Sequence, residues 1–332
     1  MLRNHREMAG VADVSDQVGR VLHAFLGARR AEITAIDPSL PVLADELEAV
    51  IGSGGKRIRP WLACWGYRAT GRALDGRIVT AASSLELVHT FALLQDDMMD
   101  ASALRRGRPT THVTMGSDAA LLISDLALVW ADQLLSEAGF APDLLAQAFT
   151  VLNALRSEVT LGQYLDLVGT PDEDRALQVN RLKTASYTVV RPIQLGMTLG
   201  GASAELLQGV PAYGEPAGIA FQLRDDVLGA FGDESDTGKP SGDDLRHRKA
   251  TWLWSRALRL AGEPPRASTA PDGDQLRGLR SWMRESGAVA EAEALIGRLR
   301  AQALDALGRL PVERTLRDEL AAMTEELVSR SA

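Results

Sequence analysis

The sequence predicts an all-α protein built as a single domain. Helix-compatible segments dominate, rich in Ala, Leu, Glu and Arg, with apolar residues recurring every three or four positions. No extended stretch alternates apolar and polar residues, which argues against a sheet. The segments are separated by Gly, Pro and Asp clusters that punctuate helices.

In chain order, a polar and flexible N-terminus over residues 1–14 precedes a helix from Ser15 to Ile36. A helix from Pro41 to Ile51 ends at Gly52-Ser53-Gly54-Gly55, and the next runs from Arg57 to Thr70. Helices follow from Gly76 to Asp100 and, beyond Gly107-Arg108-Pro109, from Asp118 to Glu137. One from Pro142 to Leu167 stops at Gly169-Thr170-Pro171, and others run from Glu173 to Leu199 and Ala204 to Phe231. After Gly238-Lys239-Pro240 a helix from Asp244 to Leu260 leads to residues 262–273, whose three prolines mark an exposed loop. Helices from Asp274 to Glu285, Ala288 to Leu307 and Pro311 to Ser329 complete the chain.

Composition narrows the function. The chain has 332 residues, 45% hydrophobic and 24% charged, enough to bury a sizeable core. A net charge of -8 argues against non-specific nucleic-acid binding, which needs an excess of Lys and Arg. The one cysteine, Cys64, sits in an apolar run and reads as buried packing in a reducing cytoplasm. The polar start leads into no apolar core of signal-peptide length, and no apolar run approaches the ~20 residues of a membrane span.

The most informative segment is Glu86-Leu87-Val88-His89-Thr90-Phe91-Ala92-Leu93-Leu94-Gln95-Asp96-Asp97-Met98-Met99-Asp100. On a helix Asp96 and Asp100 share a face one turn apart, and His89 lies on about the same stripe. Two like charges that close, approached by an apolar run, call for a compensating cation, and magnesium accepts one or two carboxylates together with waters and phosphate oxygens. Three arginines follow in Arg105-Arg106-Gly107-Arg108, so a diphosphate can bridge metal and basic loop.

A second acidic pair, Asp225-Asp226, lies in an otherwise apolar helix behind Gln222, with Lys239 and Lys249 downstream. Upstream, Gly54-Gly55-Lys56-Arg57-Ile58-Arg59-Pro60 is a glycine-rich turn opening a helix, whose N–H groups and cations make a phosphate cradle. The spacing of a nucleotide P-loop is absent from it.

Together these segments, with Gly162-Gln163-Tyr164-Leu165-Asp166 and Lys183-Thr184, resemble the trans-prenyltransferase (polyprenyl synthetase) family, in family order across about residues 50 to 250. The resemblance implies antiparallel helices around a central cavity, two aspartate motifs facing each other at its mouth, and about three Mg ions clamping an allylic diphosphate. It implies Asp96, Asp100 and Asp225 as metal ligands, and Arg105, Lys183, Lys239 and Lys249 on the allylic diphosphate. Lys56, Arg59, His89 and Arg106 are implied on isopentenyl diphosphate, with Thr184 and Gln222 lining the path of the cation. A homodimer is implied as well.

Phe91, five residues before Asp96, with small Ala92 one turn below it and no insertion in the motif, resembles the short-chain geranylgeranyl (C20) type. Farnesyl and longer-chain synthases are the alternatives in product length. Two departures stand out: Gln95 replaces a frequent second His, and Gly229 replaces the last Asp of the second motif, which puts a ligand role for Asp226 in doubt. A terpene cyclase also ionises a diphosphate but binds no second one, which would leave Lys56, Arg59 and His89 without purpose. A regulatory subunit would usually lack an aspartate motif, and both are substantially present here.

Overall fold

The computed structural model describes residues 4–169, 171–232, 243–265 and 273–329, and these are helical apart from one short ladder. The elements are α1 (Asn4–Ile36), α2 (Pro41–Gly52), α3 (Ile58–Arg68), α4 (Gly76–Met99), β1 (Leu104–Arg105), β2 (Arg108–Pro109), α5 (Thr111–Met115), α6 (Ser117–Ser136), α7 (Pro142–Val168) and α8 (Glu173–Asn180). A π-helical segment (Arg181–Val190) leads into α9 (Arg191–Leu199) and α10 (Ala204–Phe231). The chain continues with α11 (Asp243–Arg246), α12 (Trp252–Ala261), α13 (Gly273–Glu285), α14 (Ala288–Arg309) and α15 (Arg314–Val328).

Contacts divide the chain into two compact units, residues 1–156 with 191–208 and residues 157–190 with 209–332. In the first, α4 packs most extensively against α6, and α3 against α9. The α3–α9 backbones approach so closely that a Cβ on Gly196 would lie 1.8 Å from the Ala63 carbonyl oxygen, and one on Gly66 would lie 2.3 Å from that of Ile193. Asp75 caps α4, its carboxylate accepting from the Arg77 and Ile78 N–H groups.

In the second unit α10 packs as closely on the π-helical segment. A Cβ on Gly218 would lie 2.3 Å from the Ala185 Cα, and one on Gly214 would lie 2.7 Å from Val190.

Several expectations are corrected. Helix begins at Asn4, not Ser15, and Val14, Val18, Leu22 and Leu26 form a buried stripe along α1. The helix expected from Glu173 to Leu199 is three pieces, because ten residues adopt π geometry, longer than the usual single-turn bulge. The one expected from Asp244 to Leu260 breaks at Arg248, whose φ is +48°, and restarts where the Thr251 hydroxyl accepts from the Trp254 N–H. Strands β1 and β2 form an antiparallel ladder that patterning could not reveal at two residues per strand. Residues 262–265 form a largely exposed loop, and the rest of that expected loop to 272 lies outside the described residues.

By length and composition α4 and α6 could each cross a membrane, which the search for an unbroken apolar run did not bring out; the relevant window is 61% buried in α4 and 44% in α6. The outward residues of α6 include exposed Leu121, Leu122 and Val129.

Candidate functional site

The candidate residues fall into two groups, one in each unit. In the first unit Gly54 and Gly55 take φ of +107° and +143°, and Arg57, at +47°, caps the start of α3. The Arg57 guanidinium donates to the Ser15 carbonyl at 2.5 Å and fills the space that a side chain at position 19 would occupy. Lys56 is exposed on this turn and Arg59 is half-buried in the first turn of α3.

The other basic loop is a tight hairpin. Leu104 pairs with Pro109 and Arg105 with Arg108, which leaves Arg106-Gly107 as a two-residue turn with φ of +52° and +73°. Positive φ at both central residues is the type I′ pattern that fits strand twist. The Thr110 hydroxyl donates to the Ser102 carbonyl at 2.7 Å and helps close the loop. The hairpin and the glycine turn meet: a Cβ on Gly55 would sit 3.2 Å from an Arg106 guanidinium nitrogen.

α4 supplies the acidic side. Asp96 and Asp100 are half-buried near its C-terminal end, whereas Asp97 is buried. Arg105 forks across two of them, donating from Nε to Asp97 at 2.7 Å and from Nη2 to Asp96 at 3.1 Å. One turn and more before, burial pushes the His89 imidazole well below its ordinary pKa, Arg59, Arg106 and Arg105 lower it further, and Asp96 opposes them. Burial raises the Glu86 carboxyl, with Arg59, Arg57 and Arg106 opposing. His89 is therefore neutral at pH 7, among the charges of Arg59, Arg106, Arg105 and Asp96. Phe91 is buried and Ala92 half-buried.

In the second unit Lys183, on the π-helical segment, pairs with Asp166 of α7 at 2.7 Å. A Cβ on Gly162 would reach the Lys183 backbone nitrogen at 2.9 Å, so only glycine lets the two elements lie this close. The Thr184 hydroxyl donates to Gln222 Oε1 at 2.5 Å, and Gln222 Nε2 donates to Asp226 at 2.8 Å. This relay fixes the amide with its oxygen toward Thr184. Asp225 is half-buried and Asp226 is 6% exposed. Lys249 is half-buried in the connection before α12, and Lys239 lies outside the described residues.

Thus Lys56, Arg59, His89, Phe91, Ala92, Asp96, Asp100, Arg105 and Arg106 belong to the first unit, and Lys183, Thr184, Gln222, Asp225 and Lys249 to the second. Patterning did not single out Asp97 as the anchor of Arg105, Arg57 as the brace of the glycine turn, or Asp166 as the partner of Lys183. Asp97 carried a partial signal: adjacent helix positions point about 100° apart, so two neighbouring aspartates meet different surroundings.

Among the described residues no three His, Cys, Asp or Glu side chains converge as a ready metal cage.

Comparison with known proteins follows the same lines. The family described as polyprenyl synthetase matches residues 40–270. The chain is 35% identical over 297 residues to geranylfarnesyl diphosphate synthase of Aeropyrum pernix, covering 85% of this chain and 92% of that one. It is 35% identical over 228 residues to geranylgeranyl diphosphate synthase of Methanosarcina mazei, covering 66% and 70%. The crystal structure of geranylgeranyl pyrophosphate synthase from Corynebacterium glutamicum, complexed with isoprenyl diphosphate and magnesium, superposes with a TM-score of 0.91 at 33% identity, over 96% of this chain and 99% of that one.

Proposed function

The chain belongs to the polyprenyl synthetase family, and from that membership we propose a magnesium-dependent prenyltransferase that condenses isopentenyl diphosphate with an allylic diphosphate, head to tail, to give mainly geranylgeranyl diphosphate. The observation that carries this reading is the meeting of two basic loops, at Gly55 and Arg106, beside the carboxylates of α4. That meeting makes one anion cradle, and Arg105 beside Asp96 and Asp97 begins a second; two cradles suit an enzyme that joins two diphosphates, whereas a cyclase needs one.

Asp96, Asp100 and Asp225 would hold about three magnesium ions. When bound, the metal neutralises the leaving diphosphate and assists its departure as a Lewis acid. Arg105, Lys183, Lys239 and Lys249 hold the allylic diphosphate and spread its growing charge as the allylic C–O bond breaks. Lys56, Arg59, Arg106 and neutral His89 hold isopentenyl diphosphate, whose alkene attacks the allylic carbon. Thr184 and Gln222 present oxygens along the path of the cation. Among the described residues no side chain stands out as the base that takes the final proton, and the released diphosphate fills that role. The Gln222–Asp226 hydrogen bond supports Asp225, not Asp226, as the ligand in a motif that ends in Gly229.

We read the two units as one polyprenyl synthetase domain, which the family match from 40 to 270 supports because it runs across both. The exposed apolar residues of α6 support a homodimer. Cys64 is buried and is the one cysteine of the chain, so it forms no internal disulfide, which suits a reducing cytoplasm.

Incubation with labelled isopentenyl diphosphate and dimethylallyl, geranyl or farnesyl diphosphate tests the reading. The wild type should elongate these primers mainly to C20 alcohols after dephosphorylation, and failure to elongate any primer overturns the function. In the same assay Asp96→Ala should lose roughly three orders of magnitude in turnover with unchanged circular dichroism; turnover near that of the wild type removes Asp96 from the site.

A further inference from the structure

Glu46 is a carboxylate where an amphipathic helix would keep an alanine or leucine. It lies on α2 at 8% exposure, beside buried Ala44 and Leu47. A carboxylate taken out of water needs partners to repay the loss of hydration. Glu46 has two, and both come from the hairpin side. Arg108, of β2, donates from Nη2 to Oε2, and the Thr111 hydroxyl donates to Oε1 at 2.5 Å. The three residues join α2 to both ends of a four-residue stretch that follows the Arg106-Gly107 turn.

The turn itself stores strain. Arg106 adopts a left-handed backbone at φ +52°, which costs a non-glycine residue about 1 kcal/mol or more and persists only where the surroundings enforce it. α2 ends at Gly52, just before Gly54 and Gly55, so the helix that carries Glu46 also sets the position of the glycine turn. The Arg106 guanidinium lies against Gly55, where a Cβ would be 3.2 Å away. Glu46 therefore tethers one basic loop to the base of the other. Arg105 has an anchor of its own on Asp97 and Asp96.

We propose that Glu46 is a positioning residue of the homoallylic diphosphate half-site: its bridge to Arg108 and Thr111 sets the spacing between the Lys56–Arg59 turn and Arg106. The proposal rests on the assignment of Arg106 and Arg59 to isopentenyl diphosphate. It predicts a split between the two substrates, because displacement of Arg106 leaves Arg105 in place.

The test uses the full-length enzyme as wild type and as Glu46→Ala, Glu46→Gln, Arg108→Gln and Arg106→Ala. KM is measured for both substrates, and isopentenyl diphosphate alone, which does not react without an allylic partner, is titrated calorimetrically. Glu46→Ala and Arg108→Gln should each weaken isopentenyl diphosphate roughly tenfold or more in Kd and KM, since small misplacements of a binding group are amplified. The allylic KM should stay within about twofold. Glu46→Gln, which keeps an acceptor for Thr111 but loses the charge, should fall between. If Glu46→Ala does not fold, Arg108→Gln cuts the same bridge from its more exposed end and decides alone. Unchanged isopentenyl diphosphate binding in a folded variant of either residue, or equal losses for both substrates, overturns the proposal. Should Arg106→Ala itself leave that binding unchanged, the half-site assignment fails, and the role of Glu46 fails with it; a loss in Arg106→Ala alone defeats only Glu46.

Discussion

Asp96 and Asp97 are neighbours in sequence that differ in exposure. The helix turns about 100° between them, and the Asp96 side chain is 17% exposed where that of Asp97 is 7%. Arg105 ties them together, pairing with Asp97 at 2.7 Å and with Asp96 at 3.1 Å. His89 shows how burial and charge act in the same direction. Its folded pKa is depressed, so below the unfolded value of about 6.5 the unfolded chain binds a proton that the native state does not. Its contribution to stability is thus fully present above that pH and declines on acidification, with a slope of at most about 1.4 kcal/mol per pH unit. His89→Gln should flatten the dependence of melting temperature on pH between about 6.5 and 5; a slope equal to that of the wild type would show that His89 is not buried and neutral. Phe91 is only 9% exposed, so truncation opens real volume. Phe91→Ala should cost about 3–5 kcal/mol of stability and shift chromatographed products beyond C20, each further isoprene unit gaining a few kcal/mol where its apolar surface is buried at ~25 cal/mol per Å². An unchanged product distribution would remove Phe91 as the determinant of length.

At the scale of elements, glycines decide how closely helices approach. Gly218 meets the π-helical segment at Ala185, with a hypothetical Cβ only 2.3 Å from a backbone carbon, whereas Gly297 on α14 has nothing within 4 Å. Intrinsic propensity favours alanine over glycine by about 1 kcal/mol at both positions. Packing reverses the sign at one of them. Gly297→Ala should raise stability by about 0.5–1 kcal/mol, and Gly218→Ala should lower it by about 1–3 kcal/mol while disturbing the backbone that carries Thr184 and Lys183. Denaturant titration of the two variants checks this, and stabilisation by Gly218→Ala would mean that the close approach does not hold in solution. The π geometry itself left no mark on the periodicity of residues 173–199, because one extra residue per turn alters the spacing too little to be separated from an irregular α pattern.

For the molecule as a whole, the exposed apolar residues of α6, like Leu161, Tyr164 and Leu167 of α7, are left unexplained by an isolated chain. Leu122 is 65% exposed and Val129, seven residues on, continues the stripe at 53%. Apolar stripes of this kind mark contact surfaces. The wild type should sediment as a dimer at micromolar concentration, and Leu122→Glu, which places like charges across a two-fold interface, should shift it toward monomer. A monomeric wild type would remove α6 as the interface.

The all-α class, most helix boundaries and the chemical identity of the candidate residues were legible in the sequence, because helical periodicity, glycine breaks and carboxylates one turn apart are local properties that survive in a linear string. The two-residue ladder, the left-handed Arg106, the fork of Arg105 across Asp96 and Asp97, and the tether of Glu46 were decided by tertiary structure. The ladder and its left-handed turn are local but too short to leave a pattern, and the Arg105 fork needs the loop to fold back on α4; Glu46 is 62 and 65 positions from its partners Arg108 and Thr111. A lone glutamate on an amphipathic helix reads as a solvated charge until the partner that removes it from water is known, and pairing over such a separation is a property of the fold, not of the pattern.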